Sequence, residues 1–436
     1  MKDTDKDQQH NSAYQPSATT PAAQAAKSSA PEAPDTRARA ASLGMNYTFL
    51  IIYLVALSAF GSFVNDMYLP SLPEMTRFFG CSASTVQLGL TMGMIGLGGG
   101  QLLLGPLSDK YGRKPVLIWS LVVFCFGGVA SVFAKSIGFF LGCRLVQGLG
   151  ASGGYFLART IPTDIYNGRG LAKTMAVVGA INGFAPASAP IIGGIVSDHW
   201  GWQAVFVLLT VLAILLLCFS PRLKETLPPA RRTQGSLLKA FGGYGLLIRN
   251  YRFMIHALLK GSALGLLFAY LSSAPFIMQD HFGFSQTLFG CVIGINALFI
   301  AAGSMVALRF HTLKKGAVIG GIALIVATIP EALTMIFMED FWSYELLLLP
   351  MLFSLGMIFT VGNTLAMNEG RNDAGDASAL LGIMGYIFGS IVSPLVGTGN
   401  ILHTSAYVFL GMTALTLALA LLTRHIPADL DSNTAV

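Results

Sequence analysis

About twelve runs of predominantly apolar residues, each close to 20 residues long, follow one another along this chain. They lie at 47–69, 86–106, 115–134, 137–160, 173–196, 203–220, 253–275, 286–308, 316–338, 345–366, 378–400 and 404–423. A helix rises about 1.5 Å per residue, so ~20 residues cross the ~30 Å of hydrocarbon in a bilayer. Lipid offers no partner to a bare peptide group, so such runs fold as helices that close their own backbone hydrogen bonds. The expected fold class is all-α integral membrane. Composition agrees: 53% of residues are hydrophobic, 11% are charged, and the mean hydropathy is +0.64. A soluble domain carries about 25% charged residues, so a water-soluble globule of 436 residues is excluded.

The few charges are sorted by position. With the N-terminus inside, 23 of the 27 Lys and Arg fall on the inner side, and only Arg77 and Lys135 fall on the outer side. This is the positive-inside asymmetry of a multi-pass protein with both termini cytoplasmic. It also accounts for the net charge of +6 and the pI near 9.0 without a nucleic-acid partner. The longest internal loop, 222–252, is basic and carries Pro228 and Pro229. It separates six spans in 45–221 from six in 253–425, so two six-helix halves are expected, with the substrate site between them. Residues 1–44, rich in Ala, Pro, Ser and Thr, read as a disordered cytoplasmic tail without the apolar core of a signal peptide. Met45 stands before the first span as an alternative start, and 426–436 form a short C-terminal tail.

Five cysteines without a CxxC pair and seven histidines without ligand spacing give no disulfide framework and no metal site. There is no HExxH and no GxxxxGK[ST] loop, so neither metallopeptidase chemistry nor ATP-driven pumping is expected, and no cofactor is called for. Among the charges within or at the ends of apolar runs, four stand out: Asp66, Arg144, Lys260 and Glu331. Each costs about 2.5–3.5 kcal/mol at a helix centre on insertion scales, which makes them functional candidates. Asp66 lies ~30 Å along the first span and Arg144 ~10 Å inward on the fourth, at 1.5 Å per residue. An ion pair between them is therefore expected, one that a conformational change would make and break. Lys260 is within snorkelling reach of the inner surface. Glu331 follows Pro330 and is the second candidate proton carrier.

Between the second and third spans lies Gly105-Pro106-Leu107-Ser108-Asp109-Lys110-Tyr111-Gly112-Arg113-Lys114-Pro115. Gly105 allows close backbone approach and Gly112 suits a turn at positive φ. Asp109 can face a helix N-terminus, and Arg113 and Lys114 can meet a carboxylate or anionic lipid. In the fifth span, Gly179 and Gly183 form a small-xxx-small face, Pro186 and Pro190 bend the helix, and Gly193-Gly194 admits a neighbour.

These segments, with Asp66-Met-Tyr-Leu-Pro70, Arg144-Leu-Val-Gln147-Gly148-Leu-Gly150, Pro186-Ala-Ser-Ala-Pro190-Ile-Ile-Gly193-Gly194 and Gly201-Trp202, resemble the major facilitator superfamily. In this order they are similar to its Bcr/CflA group of twelve-span drug:proton antiporters. The resemblance covers 60–226 closely and the second half mainly around Gly261–Phe276. It implies a monomer in the bacterial inner membrane that exports small antimicrobial compounds in exchange for protons. A metabolite exporter or proton symporter on the same fold is the alternative. It also implies that Asp66 and Arg144 couple protons, and that the fifth span packs on the eighth. Gly105, Asp109, Gly112, Arg113, Lys114 and Asp164 would form a conformational-switch loop. Phe63, Met94, Tyr155, Phe268, Tyr270 and Asn296 would line the cavity. The chain departs from the group at Thr163, where Arg is frequent, so the partner of Asp164 is open between Arg113 and Arg159.

Overall fold

The computed structural model describes residues 36–233, 242–338, 340–371 and 374–426. Twelve long helices run through them, labelled α1 to α12 here: Tyr47–Asp66, Ala83–Tyr111, Arg113–Val132, Ile137–Ile165, Gly168–Trp200, Trp202–Phe219, Tyr251–Pro275, Gln286–Ala307, Leu313–Phe337, Phe341–Glu369, Ala374–Leu395 and Ile401–Leu422. Eleven spans are long and apolar enough to cross a membrane. The twelfth helix, α4, is equally long but carries Arg144, Arg159 and Asp164. No strand occurs among the described residues.

Local chemistry sets where the helices begin. The side chains of Asn46, Ser82, Ser136, Asn250, Ser285, Asp340 and Asn400 accept hydrogen bonds from the first free N–H groups of α1, α2, α4, α7, α8, α10 and α12. Gly112 (φ +102°) and Gly201 (φ +79°) are each the single residue between two helices, α2–α3 and α5–α6, in backbone conformations that favour glycine. The lipid side is written in exposed stripes. On α9, Ile322, Val326, Ile329, Leu333 and Phe337 recur every three or four residues and all stand exposed, an apolar face that only hydrocarbon would suit.

Helices α1–α6 form one half and α7–α12 the other. The halves meet through α2 on α11 and α5 on α8. This second contact is made through backbone. A Cβ on Gly194 would strike the Gln286 carbonyl, and one on Gly290 would strike the Pro190 carbonyl. Gly193 lies equally close to the Met67 carbonyl, one residue after the end of α1. Gly179, by contrast, has nothing within 4 Å of its Cβ direction, and the surroundings of Gly183 lie outside the described residues. Close packing is thus absent at Gly179 and occurs about three to four turns further along α5.

Two segments differ from expectation. The tail ends in a helix, Thr36–Ser42, closed at Gly44 by Gly44 N–H donating to the Ala41 carbonyl. Its alanines favour a helix once Ala40 is buried against the bundle; residues 1–35 and 427–436 lie outside the described residues. The loop 222–252 contains a further helix, Gly242–Arg249.

Gly194→Val should destabilise the fold by about 1–3 kcal/mol, because the backbone of α8 leaves no room for overpacking. Gly179→Ala should be neutral or mildly stabilising. Thermal unfolding of the two purified variants would show opposite shifts.

Candidate functional site

At one end of the bundle lie Lys110, Arg113, Lys114 and Arg159, called here the basic end. At the opposite end the halves are tied together. Ser84 and Thr91 donate to the Pro394 and Ser390 carbonyls, and Gln87 donates to the Ser272 carbonyl. Gln279 donates to the Pro70 carbonyl (2.8 Å), Gln286 to Glu74 (3.1 Å) and Thr287 to Asp198 (2.8 Å). Glu74 also accepts from Ser197 Oγ and Trp202 N–H, so one carboxylate gathers α5, α6 and α8.

Between the halves is a cavity of about 840 Å³, walled by α1, α4, α5, α7, α10 and α11, within the range of small-molecule sites. Asp66 is on its wall, with Tyr155 and Arg159 of α4, Phe268 and Lys260 of α7, Asn363 of α10 and Tyr386 of α11. Arg159 donates to Tyr155 OH and stacks over that ring at 4.3 Å, while Lys260 Nζ donates to Asn363 Oδ1 at 2.8 Å. Tyr386 lies against Phe268, their ring centroids 6.3 Å apart. The lining combines aromatic and aliphatic faces with a few fixed polar groups, the pattern of a site for amphipathic molecules.

Asp66 is the last residue of α1 and is 9% exposed. Its carboxyl takes part in no hydrogen bond or ion pair among the described residues. The expected pair with Arg144 is not formed. Arg144 is fully buried and spends its guanidinium elsewhere: Nη2 donates to the Val64 carbonyl (3.1 Å), Nε to the Gly89 carbonyl (3.4 Å) and Nη1 to Gln147 Oε1 (2.9 Å). Its Cζ lies 4.4 Å from the Tyr68 ring centroid. The reason is the end of α1. Beyond Asp66 the chain turns into the short helices Leu69–Ser71 and Leu72–Phe79, which frees the carbonyls of the last turn for outside donors. Arg144 therefore holds the backbone two residues before Asp66 rather than its carboxylate.

At the basic end, Arg113 settles the open pairing. Its Nη1 binds Asp109 at 2.6 Å and its Nε binds Asp164 at 2.9 Å, with Nη1 also donating to Ser108. Thr226 adds a hydrogen bond to Asp164 (3.1 Å). The acid expected at the N-terminus of α3, Asp109, is not the one that caps it; Glu225 is, accepting from Arg113 N–H (2.9 Å) and Lys114 N–H (3.3 Å). A Cβ at Gly112 would run into this carboxylate. Lys114 Nζ donates to the Pro221 carbonyl. Gly105 stands 3.7 Å from Phe156 in its Cβ direction.

Of the six residues expected on the cavity wall, Tyr155 and Phe268 are there. Phe63 packs against the buried core, and Met94 meets Gly389 where α2 crosses α11. Tyr270 and Asn296 are buried inside the second half, bonded to each other at 2.8 Å. Pro186 and Gly179 lie on the wall, whereas Pro190 faces α8. Glu331 is fully buried away from the cavity. Tyr386, Asn363 and Glu225 escaped the sequence reading. Glu225 carried a signal, being a lone acid amid the basic residues 222–232.

Arg144→Gln should lower thermal stability, since the Val64 and Gly89 carbonyls lose a buried donor at about 1–3 kcal/mol each. Arg144→Lys should recover only part, lacking the planar fork. Glu225→Gln should speed tryptic cleavage after Arg231 and Arg232 severalfold, as the segment leaves α3.

The family model of the Major Facilitator Superfamily matches residues 52–394. An uncharacterized MFS-type transporter, YdgK of Bacillus subtilis (strain 168), is 36% identical over 354 residues, 80% of this chain and 88% of that protein. A bicyclomycin resistance protein homolog of Haemophilus influenzae is 28% identical over 80% of this chain and 89% of its own. Among solved structures, a bacterial homolog of the human lysosomal transporter Spinster, inward-facing and occupied, superposes with a TM-score of 0.68 at 14% identity, covering 87% of this chain and 97% of that one. The family model spans most of the chain and a relative is 36% identical over 80% of it, so the chain belongs to the major facilitator superfamily.

Proposed function

We propose that this chain exports small amphipathic antimicrobial compounds in exchange for protons, by alternating access across a bacterial inner membrane. The basic end and both termini face the cytoplasm in this reading, and the protein works as a monomer. The observation that carries it is Asp66, a nearly buried carboxyl on the cavity wall with no hydrogen bond or ion pair among the described residues. An acid in such surroundings holds a proton while dry and gives it up when water or a ligand's polar group reaches it.

The neighbours of Asp66 supply a means of coupling. Arg144 fixes the α1 backbone at Val64 and Gly193 of α5 backs the Met67 carbonyl, so a shift of α5 against α8 moves the carboxyl. The seal at the opposite end leaves the polar wall running from Asp66 toward Arg159 and Lys260 at the basic end. A compound entering there would meet Arg159 and Lys260 first and Asp66 last. A second reading, export of an anionic metabolite, draws on Arg159 and Lys260, which have no carboxylate partner among the described residues.

Drug-driven proton release in inverted vesicles tests the proposal. At equal expression, Asp66→Asn should reduce release to background and Asp66→Glu should retain part of it. Full exchange by Asp66→Asn would overturn the role given to Asp66. Growth-inhibition panels with neutral, cationic and anionic compounds separate the two readings.

A further inference from the structure

The second half encloses a polar cluster that does not line the cavity. Glu331 of α9 is fully buried, and neither of its carboxyl oxygens has a hydrogen-bond partner. Glu345 of α10 is 8% exposed, with Oε2 likewise unpartnered. Around them stand Tyr270 of α7, Asn296 of α8 and Tyr344 of α10, each 1% exposed. Asn296 donates to Tyr270 OH and faces Glu345, but its Oδ1 has no donor, and neither has Tyr344 OH a partner. None of the five is on the cavity wall.

The charges around this pair are all of one sign. Glu331 lies in the field of Glu345, and Tyr270 and Tyr344 lie in the field of both. No Lys, Arg or His forms an ion pair with either carboxyl among the described residues. His403 and Tyr407, the titratable residues of the adjacent α12, are not bonded to Glu331 or to Oε2 of Glu345, and neither are Asp280 and His281 beyond the end of α7. Two ionised carboxylates enclosed together without a cation would leave two uncompensated buried charges. One proton held between them removes most of that cost.

We propose that Glu331 and Glu345 form a second proton-binding site, in the second half and separate from Asp66, with Asn296 and Tyr270 orienting the pair. The inference rests on the antiport reading for its role in coupling. Glu331 lies near the C-terminal end of α9 (Leu313–Phe337) and Glu345 in the first turns of α10 (Phe341–Glu369), which places the pair toward the sealed end. Opening of that end would admit water and allow the pair to exchange its proton there. A transporter with both sites moves more than one proton for each compound exported.

The test uses the full chain, with chloramphenicol as an uncharged probe. Protons released per chloramphenicol are counted in inverted vesicles for the wild type, Glu331→Gln, Glu345→Gln and the double variant. The double variant should transport with the ratio reduced to about half. An unchanged ratio overturns the site. The single variants serve if the double one does not accumulate. An infrared measurement keeps the inference separate from the antiport reading. In purified Asp66→Asn, a protonated-carboxyl stretch should persist at neutral pH and vanish on adding the two Gln substitutions. If the wild type moves no protons with chloramphenicol, the antiport reading fails and the infrared band alone decides the site: its presence supports the proton pair and its absence overturns it.

Discussion

Inside hydrocarbon there is no water to complete a polar group, so every such group in this bundle must be completed by protein. That constraint explains more of the molecule than any single contact. It makes the spans helical, and it holds Arg144 against two carbonyls, a glutamine and a tyrosine ring. It also ties Arg113 to two carboxylates and a serine. Against that background the exceptions stand out. Asp66 and Glu331, both buried, carry carboxyls that no neighbour completes. Buried acids left open in this way are where a proton can come and go.

The junction between the halves obeys a different rule. Lipid supplies no hydrophobic force between helices, so association relies on close van der Waals contact. Gly194 and Gly290 bring backbone against backbone, with hydrogen bonds from Gln87, Gln279 and Gln286 at the same end. At α5 and α8 the contact is largely backbone on backbone. It can part and re-form while each half keeps its own packing, which is the mechanical requirement of rocking about a central site.

Much of this was legible in the sequence. The spans followed from run length, and depth arithmetic put Asp66 and Arg144 at one level. It could not show that α1 ends at Asp66, and this ending creates the free carbonyl that Arg144 takes. The pairing of Asp164 was open at Thr163, and only the fold brings Arg113, 51 positions away, into reach. Glu225 lies 112 positions from the N–H it caps, so local spacing could not assign it. Tyr270 and Asn296 were placed on the correct helices but the wrong face. Membrane helices are apolar all round, and periodicity then gives no orientation. Glu331 was noticed because it interrupts a run, whereas Glu345 was hidden at the start of one.

The capping of α3 by Glu225 bears on the freedom of the whole transporter. Arg232 approaches Glu225 at 3.8 Å, and Thr233 N–H donates to the Asp109 carbonyl. The connecting loop is thereby fastened to the first half as far as Thr233, and the next helix begins at Gly242. The eight intervening residues, 234–241, can stretch no more than ~30 Å at about 3.3–3.6 Å per residue. The loop is therefore a short leash. It caps how far the basic ends of the halves can swing apart, and lengthening it would widen the swing without touching the site.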